Sequence, residues 1–236
     1  MANLQNKQHV EHFQEPLSEQ STELVINKNT VEKTKEDMND TLIYDIGNNR
    51  YINLCNKCTL RCRFCPKNHD DWQVHEYDLS LGKSPKALDI LTQLGDVSQF
   101  DEIVFCGFGE STLRLKELLF IAKEIKQQGG KTRLNTDGLA NLVYGRNVLP
   151  DMAEVIDAIS ISLNAQDEAT YNKHCLPTLP NSYQGVRDFI RLAPTYINDV
   201  QVSAIDGLEG VDIKACQAIV EAAGAKFKRR VMDEVG

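Results

Sequence analysis

Strand-like and helix-like stretches alternate through most of this 236-residue chain, and that alternation limits the fold more than any other feature. Short β-rich runs occur at 102–106, 132–135, 158–163, 200–204 and 226–231, with helical apolar patterns between them at 84–94, 115–128, 182–192 and 213–223. Strands reached through helices pair in parallel, because a parallel neighbour needs a crossover of a dozen or more residues. Residues 51–54 supply one more strand, which makes six βα units. A closed eight-unit barrel takes roughly 250 residues, more than remain here. The expected fold is therefore α/β.

The ordered part is expected to begin at Thr41. From there to Leu54, two β-rich runs flank Gly47, Asn48 and Asn49 and predict a hairpin. Residues 1–40 are rich in Gln, Asn, Glu, Lys and Thr and show no sustained apolar period, so they are expected to form a largely disordered tail. Residues 41–236 then form one domain, and a chain with 42% apolar residues can bury one substantial core. No stretch approaches the ~20 apolar residues of a membrane span, and the N-terminus lacks a signal-peptide apolar region. A cytoplasmic location is the expectation. The net charge of -8 argues against extensive nucleic-acid binding, although residues 226–230 form a local basic patch.

Four of the seven cysteines fall within eleven residues, at Cys55, Cys58, Cys62 and Cys65, which suits a reducing compartment and a metal site. Three thiolates spaced C-x3-C-x2-C suit an iron-sulfur cluster in which one iron keeps an open position. The run follows the first strand of the parallel series, at the end of a βα-type sheet where active sites belong. The rival is zinc, since Cys55-x2-Cys58 and Cys62-x2-Cys65 resemble paired knuckles. The three-residue gap between them is far below the roughly 15–20 of such modules. Cys55 is read as a spectator.

The run has the form C-x3-C-x-Φ-C, with Phe64 as the aromatic, and so resembles the radical S-adenosylmethionine (SAM) superfamily. That resemblance implies a 4Fe-4S cluster on Cys58, Cys62 and Cys65, with SAM on the fourth iron and Phe64 near the adenine. It also implies an open partial (β/α)6 TIM-like barrel, which fits the six units counted above. One-electron cleavage of SAM would give a 5'-deoxyadenosyl radical that takes hydrogen from a substrate. Gly107-Phe108-Gly109-Glu110-Ser111 is similar to the superfamily's GGEP motif, departing from it at Phe108 and Ser111. Gly107, Gly109 and Glu110 are thereby assigned to the methionine amino group. Asn135-Thr-Asp137-Gly resembles the TNG-like turn, assigning Asn135 and Asp137 to SAM, with a plain Asp-Gly turn as the alternative. Ser160 and Ser162 share one strand face, and Ser162 and Asn164 are further SAM candidates.

The stretches 106–110, 134–146 and 162–171 look like the TatD-associated radical SAM proteins, a resemblance running from about Thr41 to the C-terminus. It implies a functional link to a TatD-type nuclease, an electron donor, and an unidentified substrate, small or macromolecular. A different class stays open: an iron-sulfur or zinc redox or regulatory protein without SAM turnover. Cys106 and Cys216 read as packing residues, His174 and Cys175 as residues of a loop after the fourth strand, and Arg229 or Arg230 as contacts for an anion.

Overall fold

The computed structural model describes residues 40–231. Apart from Asp40, the tail expected at 1–40 lies outside the described residues. In chain order the elements are β1 (Ile43–Ile46), β2 (Asn49–Ile52), β3 (Gln73–Val74), β4 (Tyr77–Asp78), α1 (Ala87–Leu94), β5 (Ile103–Phe105) and α2 (Leu115–Gln127). They continue with β6 (Thr132–Thr136), α3 (Ala140–Tyr144), α4 (Leu149–Ala153), β7 (Ala158–Ser162), α5 (Glu168–Cys175), α6 (Ser182–Leu192), β8 (Asp199–Asp206), α7 (Ile213–Ala222) and β9 (Lys226–Val231).

One sheet runs β1-β2-β5-β6-β7-β8-β9, and β3 with β4 makes a separate small hairpin. From β2 to β9 every pairing is parallel, which gives the six parallel strands expected. The run has β1 and β9 as its two ends. The β1–β2 pair is the hairpin read from residues 41–54, with Gly47 at φ +58° in its turn and Tyr44 stacked on Tyr51 at 5.0 Å. Arg50 locks it in place. Its guanidinium pairs with Asp45 at 2.8 Å, donates to the Leu94 carbonyl at 2.5 Å and lies 4.2 Å from the Phe100 ring centre.

The two faces of the sheet differ in the way strand alternation requires. Ile52, Phe105, Leu134, Ile159 and Val200 stand side by side in register, all buried in the apolar core against the helices. Helix α2 supplies Leu118, Ile121, Ala122 and Ile125, whose spacing forms one apolar stripe. Asn135, Ser160, Gln201 and Lys226 form a register row of the opposite sense, and this is the polar face. Arg133 sits one row lower, paired with Glu102 at 2.6 Å and Asp199 at 3.2 Å.

His174 and Cys175, read from sequence as loop residues, lie in helix α5. Its sequence is mostly polar and only Tyr171, His174 and Cys175 are buried, so its apolar stripe is too thin to signal a helix. An Asp167 N-cap, accepting from the Thr170 amide at 2.8 Å, starts it instead. His174 is consequently buried, with its Nε2 2.8 Å from the Glu209 carbonyl, and is not an exposed loop residue.

Ile121 is fully buried where α2 meets the sheet. An Ile121→Ala substitution is expected to destabilise the fold by about 2–5 kcal/mol, seen in urea titration as a lower midpoint with an unchanged slope.

Candidate functional site

Gly107, Gly109, Glu110, Asn135, Asp137, Ser162 and Asn164 lie at or just past the carboxyl ends of β5, β6 and β7, whereas His174 is in α5 and Arg229 and Arg230 are in β9, and the cysteine loop folds over the ends of β5 and β6. Asn53 anchors the start of that loop, donating from Nδ2 to the carbonyls of Thr41 at 3.0 Å and Leu79 at 2.9 Å. The loop then comes down on the turn after β5. A Cβ on Gly109 would stand 1.9 Å from the Cys55 carbonyl oxygen, and one on Gly107 would stand 2.5 Å from Asn53 Oδ1. The sequence reading held these glycines open for a ligand. What closes on Gly109 here is the cysteine loop's own backbone, and on Gly107 the Asn53 side chain, while the Glu110 amide donates to the Lys57 carbonyl at 2.8 Å.

Glu110 is buried, and both its carboxylate oxygens have partners. Oε1 accepts from the Thr112 amide at 3.0 Å, the Thr112 hydroxyl at 2.6 Å and the Thr136 hydroxyl at 2.9 Å, while Oε2 accepts from the Asp137 amide at 2.7 Å. This residue ties the β5 turn to the β6 turn. Asp137 lies beside it, 3.9 Å from Cys58 Sγ, accepting from the Thr59 hydroxyl and, at 3.0 Å, from the Leu139 amide. Burial and the neighbouring Glu110 charge push the Asp137 carboxyl well above the usual carboxylate range.

Beyond Cys58 the loop pairs with the chain leaving α5. Leu60 forms an antiparallel bridge with Pro177, the Thr178 amide donates to the Thr59 carbonyl at 2.9 Å, and the Arg63 amide donates to the His174 carbonyl at 2.8 Å. Cys62 and Cys65 sit on a turn in which the Cys65 amide donates to the Cys62 carbonyl at 3.1 Å, and Phe64 packs half-buried on the core.

The structure thus brings Cys58, Gly107, Gly109, Glu110 and Asp137 into one connected group. Asn164 joins it from the β7 end, at φ +63°, donating from Nδ2 to Cys175 Sγ at 3.7 Å. Asn135 and Ser162 lie on the polar sheet face, Asn135 beside Cys106 and Ser162 in register with Ser203. Three contributors went unread in the sequence. Thr59 and Thr136 hold the two carboxylates, and Tyr171, fully buried, has a hydroxyl with no hydrogen-bond partner among the described residues. The i, i+4 spacing of Tyr171 and Cys175 was the available signal, invisible until α5 is known to be a helix.

Burial raises the Cys58 and Cys65 thiols, and Cys62 is raised first by its hydrogen bond with Cys175 and then by burial. Such thiols ionise when a metal displaces their protons. No three His, Cys, Asp or Glu side chains among the described residues converge as ligands of a single ion. The donor set does fit an iron-sulfur cluster: three thiols on one short loop. The unpartnered Tyr171 hydroxyl lies close enough to Cys58, Cys62, Cys175 and Asp137 to be influenced by all four, and the Asn135 and Asn164 Oδ1 atoms are likewise buried without partners. Buried polar atoms ordinarily have partners, so these mark room for a polar group.

Because the Gly109 clash is with backbone, neighbouring side chains cannot relieve it. Gly109→Ala is expected to destabilise the protein by about 3 kcal/mol and to open the 53–65 loop to protease, checked by thermal melting and limited proteolysis.

The sequence profile described as the Radical SAM superfamily matches residues 52–223. Over 118 residues the chain is 28% identical to the tungsten-containing aldehyde ferredoxin oxidoreductase cofactor-modifying protein of Pyrococcus furiosus, covering 48% of this chain and 30% of that protein. The chain therefore matches less than a third of that relative's length. Among solved structures, TYW1 with a lysine-pyruvate adduct bound is similar at a TM-score of 0.56 and 16% identity, covering 80% of this chain and 66% of that one. Streptococcus suis SuiB bound to S-adenosylmethionine gives 0.55 and 15%, covering 76% and 39%. A radical SAM methyltransferase from Sphaerobacter thermophilus gives 0.53 and 12%, covering 80% and 68%. At these identities the structural likeness is one of fold. The profile match takes in well over half of the sequence and every site residue named above, and the chain belongs to the radical SAM superfamily of enzymes, whose cofactors are a 4Fe-4S cluster and SAM.

Proposed function

We propose that this chain is a radical SAM enzyme that abstracts hydrogen from an unidentified substrate, with Cys58, Cys62 and Cys65 holding its 4Fe-4S cluster. The observation that carries the proposal is the three-cysteine loop laid across the carboxyl ends of β5 and β6, within a superfamily match spanning 52–223. When bound, the cluster and SAM together supply a 5'-deoxyadenosyl radical through one-electron cleavage of SAM.

The protein's own residues position and shield. Gly107 and Gly109 let the loop settle at a fixed height over the sheet. Glu110 and Thr136 brace the two turns beneath it, and Asp137 accepts from Thr59 beside Cys58. With its oxygens committed to four internal donors, Glu110 acts first as a brace, so its assignment to the SAM amino group requires one of those bonds to be shared. Asn135, Ser162 and Asn164, on the polar face, are the groups proposed to meet SAM. Phe64, half-buried beside the cysteines, is proposed to meet its adenine.

Within the superfamily we assign the chain to the TatD-associated group, on the motifs at 106–110, 134–146 and 162–171. That assignment carries a functional link to a TatD-type nuclease and a need for an external electron donor. The Pyrococcus protein is named for modifying a cofactor, which makes a small-molecule cofactor one candidate substrate class beside a macromolecule. Residues 41–236 are proposed to form the catalytic domain. No helix among the described residues is long and apolar enough to cross a membrane, and a cytoplasmic location is proposed.

The test is anaerobic loading with iron and sulfide, then dithionite and SAM, with 5'-deoxyadenosine measured by mass spectrometry. The wild-type chain is expected to form it. Cys58→Ala, Cys62→Ala and Cys65→Ala are each expected to lose bound iron and product by at least tenfold. A loaded cluster that neither binds SAM nor yields 5'-deoxyadenosine would favour the redox or regulatory class.

A further inference from the structure

Cys175 has no part in the proposed chemistry, yet the fold sets it against a cluster ligand. The chain leaving α5 runs antiparallel to the cysteine loop. Thr178 donates from both its amide and its hydroxyl to the Thr59 carbonyl at 2.9 and 2.8 Å, and Leu60 is bridged to Pro177. Cys175 closes α5 just before that bridge, and the backbone on both sides of Cys62 is bonded to the end of that helix. Flanking bonds hold that pairing in place: the Arg61 amide donates to the Cys175 carbonyl at 3.0 Å and the Arg63 amide to the His174 carbonyl at 2.8 Å. The Cys62 and Cys175 thiols are in side-chain hydrogen-bond contact, the arrangement from which a disulfide can close.

We propose that Cys62 and Cys175 form a reversible dithiol–disulfide site, closed in the cluster-free protein by a low-molecular-weight disulfide and protected when Cys62 is bound to iron. Both thiols are free in this structure. Cys62 is half-buried and Cys175 fully buried, so Cys62 meets the reagent first. Its thiolate attacks one sulfur of the small disulfide, forming a mixed disulfide and releasing one thiol. Cys175 then attacks the Cys62 sulfur, forming the internal bond and releasing the second thiol. The two protein thiols are oxidised by two electrons and lose two protons, and one small disulfide is reduced to two thiols.

Cys65 is the rival, three residues beyond Cys62 on the same turn. Side-chain contact favours Cys175, whose thiol is hydrogen-bonded to that of Cys62. Closing the site removes one of the three ligands, so an oxidised chain cannot reload its cluster until it is reduced. This consequence rests on the cluster reading, whereas the bond itself does not.

The test uses full-length, iron-free protein treated anaerobically with oxidised glutathione, alkylated, and mapped by peptide mass. Seven alkylated cysteines are expected to fall by two, with the Cys62 and Cys175 peptides recovered as one linked species that dithiothreitol separates. A Cys175→Ser chain is expected to keep one glutathione on Cys62. Full alkylation after treatment, or a link from Cys62 to Cys65 with Cys175 still alkylated, would overturn the proposal. The same mapping on iron-loaded protein separates the two readings. Protection is expected there, and a linked peptide at the iron-free yield would count against Cys62 as a cluster ligand while leaving the dithiol site intact.

Discussion

The site depends on one close approach, the Cys55 carbonyl against the bare Cα of Gly109. Two segments more than fifty residues apart in sequence meet there with no room for a side chain. From that contact a single hydrogen-bonded route leads across the sheet. The Lys57 carbonyl accepts from the Glu110 amide, and the Glu110 carboxylate accepts from Thr136 and from the Asp137 amide. Burying a carboxylate is unfavourable unless it is well supplied with donors. Glu110 has four, so its side chain works as a strap between the two turns.

The same strap explains why a second carboxylate is tolerated. Asp137 sits under the cysteine loop with Glu110 as its neighbour, and two buried carboxylates in contact do not both ionise readily. The donors are shared unequally. Glu110 takes two hydroxyls and two amides, and Asp137 takes one hydroxyl and one amide while its affinity for a proton rises.

Much of this was legible in the sequence, and for identifiable reasons. β5 and β7 carry strongly β-forming apolar runs, and α6 and β9 are bounded in the sequence as in the structure. The cysteine spacing marked the loop and the Gly-Phe-Gly-Glu turn marked its neighbour. Less legible was what each motif touches. A glycine at a strand end signals close approach without saying by what, and at Gly109 the visitor is the protein's own loop. Glu110 looked like a ligand-facing acid, but pattern alone cannot tell that threonines at 112 and 136 would converge on it. The hardest element was α5, whose buried residues number only three, so neither its helix nor the burial of Tyr171, His174 and Cys175 stood out.

That helix matters more than its weak pattern suggests. The segment 58–65 has no helix and no ladder of its own, and a loop with unpaired backbone groups does not hold three thiols in a fixed arrangement. The Lys57 carbonyl just before this segment accepts from the Glu110 amide of the β5 turn, and the segment's Arg61 and Arg63 amides and its Thr59 carbonyl are bonded to α5 and the chain leaving it. The second contact requires α5 to end where it does. Leu176, at φ +45°, turns the chain out of the helix so that 176–178 lies along the loop. The Tyr171 ring, packed 5.5 Å from Tyr183 of α6, fixes how α5 sits. The placing of the three cysteines is therefore set by tertiary pairing with a polar helix more than a hundred residues downstream, which is why a local motif could single out the cysteines and still leave their surroundings unread.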